Sequence, residues 1–263
     1  SILEPVKMSA DPTEVAGAFI GHYIEKYSTA RAELVGLYGS ESVFSYEGTT
    51  VGGTEAITEA LAAIPVPAGE AHAITSSDVQ PSPIPGALLV FLTGDLVKTK
   101  FQQVFHLVPT DDGSFYIHND VFRVSEENAI NAPAELGGDI AKAFVEHYYA
   151  TFDGDRATLA SLYRPESMLT MEGTQHGTEA AGGVAGIMER LGGLPATKHD
   201  ISTLDVHPVA PDGKAILVFV TGKMIIEGSD NPLLFAQTFV LVKVEGTDNE
   251  YYVHNDIFRF NYG

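Results

Sequence analysis

The sequence predicts an α+β protein built from two tandem copies of one domain of about 120 residues. The first observation is a repeat: "FYIHNDVFRV" at 115–124 returns as "YYVHNDIFRF" at 251–260, with six of ten positions identical. The second is that other blocks also match in order, at offsets that drift from 125 to 136 residues. The third is that helical patterns precede strand patterns in each copy, which is typical of helices packed on one face of a sheet.

The matching blocks set the domain boundaries. We place the first copy at 9–126 and the second at 139–263. The segment 127–138 between them is polar, contains a proline and ends in glycines, so it is predicted to be a linker.

Each copy begins with a predicted amphipathic helix. Asp11 followed by Pro12 predicts an N-cap with proline in the first turn. Phe19, Tyr23 and Tyr27 then recur at four-residue spacing, and the second copy repeats this pattern. A second helix is predicted within 52–64, with a glycine-rich counterpart within 177–191.

Three strands are predicted to follow the helices as an antiparallel meander on a bent sheet. "ALLVFLTG" at 87–94 and "AILVFVTG" at 215–222 are continuous apolar runs rather than alternating ones. Such runs are typical of strands that are covered on both faces.

Composition and charge narrow the classes of partner. The formal net charge is −20 and the sequence contains no cysteine. A field of this sign repels nucleic acid and anionic lipid, and the apolar runs are too short to cross a bilayer. We therefore expect no nucleic-acid or membrane partner, no disulfide or thiolate metal site, and a basic protein or a cation as the favoured ligand.

The repeated His-Asn-Asp motif carries the most suggestive polar chemistry. His118 and Asp120 are two residues apart on a predicted strand, as are His254 and Asp256, so each pair is expected to share a face. An aspartate that orients a histidine is one way of holding a general base. We favour the structural alternative, a satisfied polar pair that keeps sheets or helices in register, and predict no catalytic residue and no cofactor.

The blocks resemble nuclear transport factor 2. The resemblance is carried by "AFVEHYYATFDGDRATLASLY", "MEGTQHGTEA", "LGGLP", "FAQTFVLV" and "HNDIFRF" of the second copy, and more weakly by the first. It implies a cone-like domain, in which a curved antiparallel sheet wraps around N-terminal helices. Because this family usually forms dimers through the sheet, a tandem chain is expected to be an intramolecular pseudo-dimer and a monomer in solution.

The resemblance also implies a protein-binding function without catalysis: binding of the GDP form of the small GTPase Ran, in cytoplasm and nucleus. The rim glutamate of the family falls on Glu172 and on Glu47, and the acidic rim loop adds Glu227 and Asp230. The family's cavity positions fall on Met171, Leu194, Leu234, Ile257 and Phe258 in the second copy, and on Tyr46, Ile64, Val121 and Phe122 in the first.

Some positions depart from the family pattern. Met171 and Tyr46 stand where the family usually has tryptophan, and the chain has no tryptophan at all. The tryptophan that helps bind FxFG nucleoporins falls on Gly137 and Pro12, which argues against nucleoporin binding. The first copy's rim loop is the partly basic "DLVKTK", so at most one complete Ran site is expected, in the second copy.

Two other functions fit the same residues. Glu47 and Glu172 are expected to be rim contacts, although carboxylates in a pocket could also act as bases. The chain could therefore be an accessory or scaffold subunit whose two unequal copies bind different partners. It could also be a small-molecule binder, or an isomerase or dehydratase that uses the cone cavity.

Overall fold

The fold is described from a computed structural model, which covers residues 11–64, 72–96, 99–124, 138–177, 183–210, 213–229 and 231–261. The chain divides into two compact units, Ser1–Glu127 and Asn128–Gly263. The predicted linker 127–138 lies outside the described residues except for Gly138, which begins the first helix of copy 2.

Copy 1 forms one six-stranded sheet with its helices on one face, in the strand order β2-β1-β6-β5-β4-β3. Its elements are α1 (Pro12–Thr29), a 3-10 helix (Arg31–Leu37), β1 (Tyr38–Tyr46), β2 (Thr49–Gly52), α2 (Thr54–Ala63), β3 (His72–Pro81), β4 (Leu88–Leu96), β5 (Thr99–Pro109) and β6 (Phe115–Val124).

Copy 2 repeats this plan in the strand order β8-β7-β12-β11-β10-β9. Its elements are α3 (Gly138–Asp153), a 3-10 helix (Arg156–Leu162), β7 (Tyr163–Met171), β8 (Thr174–Gly177), α4 (Gly183–Gly192), β9 (Thr197–Pro208), β10 (Ala215–Ile226), β11 (Leu233–Lys243) and β12 (Tyr251–Phe260). The α+β class and the two tandem cone-like domains are therefore confirmed.

The antiparallel meander is only part of each sheet. Four strands rather than three follow the second helix, and two more precede it. β1 pairs in parallel with β6, and β7 pairs in parallel with β12, so each sheet is mixed. β1 was not predicted from the sequence. Its residues are buried irregularly along the strand, so they give no clean two-residue period.

The first helix of each copy packs its aromatic stripe on the sheet. The side chain of Asp11 accepts a 2.9 Å hydrogen bond from the backbone N–H of Thr13, which confirms the predicted N-cap. The rings of Phe19 and Tyr23 meet Phe105 of β5 edge-on at centroid distances of 4.9 and 4.8 Å. Each such ring removes a large apolar area from water, so these contacts stabilise the packing of α1 on the sheet. In the described ranges no helix is long and apolar enough to cross a membrane.

The continuous apolar strands are buried along their length, as predicted. Every residue from Leu88 to Gly94 on β4 is buried, and so is every residue from Ala215 to Val220 on β10. Gly94 and Gly222 lie where the neighbouring edge strand bulges, and no side chain fits there. A Cβ on either glycine would lie 2.5 Å from a carbonyl oxygen of that strand.

Candidate functional site

The His-Asn-Asp motif contains a β-bulge in both copies. Asn119 pairs with His106 and Ile117 with Leu107, so His118 is the extra residue on its strand. The bulge reverses the alternation of side chains. Asp120 therefore faces the helices, while His118 lies beside the ring of His106, at a centroid distance of 5.8 Å, away from Asp120.

The same bulge occurs in copy 2. Asn255 pairs with Val240 and Val253 with Leu241, which leaves His254 as the extra residue. The prediction that His118 and Asp120, and likewise His254 and Asp256, share a face is therefore wrong. A two-residue period cannot reveal an inserted residue, so the bulge could not be predicted from the pattern.

Asp120 is instead the centre of a buried network that ties α1 to strands β1 and β5 of the sheet. Its Oδ2 accepts hydrogen bonds from the hydroxyls of Tyr38 at 2.5 Å and Tyr23 at 3.4 Å, and its Oδ1 accepts from Gln103 Nε2 at 2.8 Å. Complete burial raises the pKa of Asp120 to about 7, and the three hydrogen bonds offset that rise only in part.

Copy 2 repeats the network around Asp256. The hydroxyls of Tyr163 and Tyr148 donate to its Oδ2 at 2.8 and 3.1 Å, and Gln237 Nε2 donates to its Oδ1 at 2.6 Å. Burial raises the pKa of Asp256 to about 6. Both aspartates are wholly enclosed by their donors, so this arrangement holds the fold together and presents no carboxylate to a substrate.

Glu47 and Glu172 occupy strained hairpin turns. Glu47 has φ 49° and Glu172 has φ 50°, and each is followed by a glycine with φ near 80°. The two-residue connection from Tyr46 to Thr49 with both φ values positive is a type I′ turn. Within the described ranges these glutamates alone among non-glycine residues have positive φ, which costs about 1–3 kcal/mol each unless other contacts offset it.

The carboxylates of these turns supply such contacts. Glu172 accepts a 2.5 Å hydrogen bond from the backbone N–H of Phe260, and Glu47 accepts one of the same length from Val124. Each carboxylate thus satisfies a donor at the end of its last strand while remaining half-buried at the end of the sheet. The two glutamates have a structural role that the sequence did not reveal.

An apolar patch lies at the same end of the copy 2 sheet as Glu172. Met171 precedes that glutamate and pairs with Phe258. The patch consists of Met171, Met224 and Phe258, which are almost fully buried, and the half-buried Leu194, Ile226 and Phe260. We call it the copy 2 apolar end.

The predicted cavity residues divide between the two faces of the sheets. Met171, Leu194 and Phe258 join the copy 2 apolar end, and Tyr46, Ile64 and Phe122 join the apolar clusters of copy 1. Strand alternation places Val121, Leu234 and Ile257 on the opposite face from their neighbours Phe122, Phe235 and Phe258. The expectation that these three line the cone cavity is therefore corrected.

The rim loops of the two copies differ. The backbone N–H of Glu227 donates to the carbonyl oxygen of Ala196 at 2.8 Å. The β10–β11 connection therefore lies against the loop that follows α4. Asp230, the other predicted rim residue of this loop, lies outside the described residues. In copy 1 the corresponding hairpin carries an ion pair of 2.7 Å between Lys100 and Asp95.

A histidine that the sequence analysis did not single out packs inside each cone. His72 contacts the rings of Tyr27 and Phe101 at centroid distances of 4.2 and 4.7 Å. His199 contacts Phe152 and Phe235 in the same way at 5.0 and 5.3 Å. The blocks "ITSSDVQP" at 74–81 and "ISTLDVHP" at 201–208 match between the copies. Extending them back by two residues would have found both histidines, because a histidine stands there in each copy.

Comparison with known proteins agrees with this architecture. The model of the nuclear transport factor 2 (NTF2) domain matches residues 15–124 and again residues 140–260. The chain belongs to the nuclear transport factor 2 family. It carries the NTF2 domain twice, and each match ends at the repeated strand that bears the buried aspartate.

Individual NTF2 relatives match one domain length at a time. Nuclear transport factor 2 of Oryza sativa subsp. japonica is 48% identical over 126 residues, which are 47% of this chain and 96% of that protein. The protein of the same name from Emericella nidulans is 49% identical over 47% of this chain and 94% of its own length. The solved structure of Ntf2 from Cryptosporidium parvum is 35% identical, covers 49% of this chain and 98% of its own, and has a TM-score of 0.42.

Proposed function

We propose that the chain is a non-catalytic protein-binding module in which copy 2 receives an apolar side chain of a basic protein partner. The observation that carries this proposal is the position of Glu172 directly beside the copy 2 apolar end. An apolar anchor surrounded by charge is the usual anatomy of a specific protein interface. The relatives named nuclear transport factor 2 support a role of this kind.

The partner we propose is the GDP form of Ran, bound in cytoplasm and nucleus. The family resemblance motivates this choice, and the net charge of −20 favours a basic binding surface on the partner. Glu172 and Glu227 would contact basic side chains, with Asp230 as a further candidate, while Met171, Leu194 and Phe258 would contact the inserted side chain.

The absence of a catalytic role is part of the proposal. Asp120 and Asp256 are each enclosed by two tyrosines and a glutamine, and the histidine of each motif lies on the other face. The carboxylate of Asp153 near His199 is likewise occupied, because it also accepts from Thr197 Oγ1 and a backbone N–H. A general base needs a free acceptor atom within reach of the proton that it removes. The oxygens of these carboxylates already accept hydrogen bonds within the fold.

The test is calorimetric titration of the whole chain with Ran-GDP and, separately, with Ran-GTP. Glu172→Gln keeps an oxygen that can accept from Phe260 and removes the charge, so it separates partner contact from turn stability. Glu47→Gln is the matched control in copy 1. We expect binding of the GDP form alone, weakened about tenfold by Glu172→Gln, or about 1.4 kcal/mol, and unchanged by Glu47→Gln.

An accessory or scaffold role is the second candidate, and the unequal rims favour it. The Asp95–Lys100 ion pair in copy 1 corresponds to Lys223 and Leu234 in copy 2, so the two domains present different chemistry at the same hairpin. Failure of both nucleotide forms to bind would overturn the Ran proposal and leave this candidate.

A further inference from the structure

A buried histidine of copy 1 forms a hydrogen bond with a serine in a surface connection. His106 lies on β5, and its Nε2 is 2.8 Å from the hydroxyl oxygen of Ser82, the first residue between β3 and β4. His106 is fully buried, whereas Ser82 is half-buried and belongs to a connection in which Pro85 and Gly86 are exposed. This hydrogen bond therefore joins the sheet interior of copy 1 to its surface.

Copy 2 closes the same connection without a serine. Val209 stands at the position of Ser82. The backbone N–H of Ser82 donates to the carbonyl oxygen of Ala87 at 2.9 Å, and that of Val209 donates to the carbonyl oxygen of Ala215 at the same distance. The backbone of the connection thus forms its closing hydrogen bond in both copies, so the fold alone does not require the hydroxyl of Ser82.

Ser82 differs from every other serine and threonine of the chain in being followed by proline. Of the 14 prolines in the sequence, only Pro83 follows a hydroxyl residue. Proline has no backbone N–H, and it disfavours a helical conformation in the residue before it. A protein kinase that binds its acceptor in an extended conformation, with an apolar site for the next residue, selects such a pair. Copy 2 has Ala210 at the position of Pro83 and lacks both residues of the pair.

We propose that Ser82 is a phosphorylation site for a proline-directed serine/threonine kinase, and that the modification alters the surroundings of His106. In the reaction, Ser82 Oγ attacks the γ-phosphorus of a nucleoside triphosphate. The bond from that phosphorus to the bridging oxygen breaks, the nucleoside diphosphate leaves, and the hydroxyl proton passes to a base of the kinase. This inference concerns copy 1 and does not depend on the partner proposed for copy 2.

The phosphoryl group changes the electrostatics around His106. It replaces the hydroxyl proton and adds a charge of about −1.5 to −2 at pH 7. Burial, and then the neighbouring His118, lower the pKa of His106 to about 3, so the ring is neutral in the unmodified chain. A phosphate beside Nε2 favours the protonated ring.

The effect extends to the repeated strand of copy 1. The ring of His118, the extra residue of the β-bulge on β6, lies 5.8 Å from that of His106 between centroids. Copy 2 has Val240 at the position of His106, so it has no buried ring there to respond. Phosphorylation of Ser82 would therefore act on one of the two copies only.

The test is incubation of the whole chain with Mg-ATP and a cyclin-dependent kinase or, separately, a mitogen-activated protein kinase, since both classes are proline-directed. Mass spectrometry of the intact chain counts the phosphoryl groups, and peptide mapping locates them. Ser82→Ala removes the acceptor. Pro83→Ala keeps the acceptor and gives copy 1 the alanine that copy 2 has at this position.

We expect one phosphoryl group at Ser82, none there in Ser82→Ala, and a rate at least about tenfold lower in Pro83→Ala. In spectra of the ¹⁵N-histidine-labelled chain, the ring signals of His106 and His118 should shift on phosphorylation, while those of His254 in copy 2 stay in place. Failure of both kinases to modify Ser82, or equal rates with and without Pro83, would overturn the site. Unchanged His106 signals in the phosphorylated chain would overturn its effect on the sheet.

Discussion

Asp153 binds His199 twice: its Oδ1 meets the imidazole Nδ1 at 2.6 Å, and its Oδ2 accepts the backbone N–H at 2.7 Å. This bond joins the end of α3 to the start of β9. Copy 1 has serine at the equivalent position, and the ring nitrogens of its histidine, His72, have no partner. The two domains therefore differ in polarity inside the cone although their folds match.

Exchanging Asp153 and Ser28 between the copies is predicted to lower the stability of copy 2 and to raise that of copy 1. Asp153→Ser removes the acceptor of three hydrogen bonds and should lower the free energy of unfolding of copy 2 by about 2–4 kcal/mol. Ser28→Asp should raise that of copy 1 by about 1 kcal/mol, because His72 gains a partner. Urea denaturation of both variants checks this, and a loss of stability in Ser28→Asp would count against the equivalence of the two positions.

The buried aspartates should make the chain less stable as pH rises from about 4 to about 7. Their folded-state pKa values, about 7 for Asp120 and about 6 for Asp256, lie above the unfolded value of 3.8. A raised pKa means that the folded state binds the proton more tightly, so its contribution is complete below the unfolded pKa and lost as pH rises through the folded one.

Buried histidines act in the opposite direction over nearly the same range. Burial lowers the pKa of His72 to about 4 and of His106 to about 3, from 6.5, so their contribution is lost as pH falls. The double variant Asp120→Asn with Asp256→Asn should remove the pH dependence that comes from the aspartates and leave the one that comes from the histidines. Melting temperatures measured from pH 4 to 8 should then fall more steeply on acidification in the variant, and identical profiles would refute the assignment.

Gly222 is predicted to be one of the least replaceable residues in the sheet of copy 2. An added Cβ would lie 2.5 Å from the carbonyl oxygen of Asp200 and 2.9 Å from the ring of Phe235, and the strand cannot move away without losing its pairing. Gly222→Ala should cost about 3 kcal/mol or more. In Gly21→Ala, on α1, nothing lies within 4 Å of the new methyl group, so that control should stabilise the chain by about 0.5–1 kcal/mol.

The intramolecular pseudo-dimer stays a prediction. If the second copy supplies the dimer partner that this family usually finds in another chain, light scattering should give a single species near 28.1 kDa. A species of twice that mass at micromolar concentration would contradict it.

Much of the fold could be predicted because the repeat displays each element twice. Asp11 with Pro12 marked the start of α1, and the apolar runs marked β4 and β10. The strand β1 was missed because it has no clean two-residue period, and its parallel pairing with β6 depends on contacts distant in sequence.

Less of the candidate site was accessible to sequence reasoning. Residues such as Phe258 and Ile257 are both apolar, and only the register of β12 decides which one faces the helices. The bulge at His254 places the histidine on the opposite face from Asp256, and no residue type in the motif predicts a β-bulge. The tyrosines and glutamine around Asp256 were visible as identical polar positions in both copies, yet their meeting point depends on packing between α3, β11 and β12.

The most direct test of partner binding by copy 2 uses its methionines. Met171 and Met224 lie in the copy 2 apolar end, and Met168 lies on β7 three residues before Met171, outside the apolar cluster that contains both. In spectra of the chain labelled with ¹³C-methyl methionine, Ran-GDP should shift the signals of Met171 and Met224 and leave that of Met168 nearly unchanged. Binding that leaves Met171 and Met224 in place would contradict the account, because the partner would then occupy another surface.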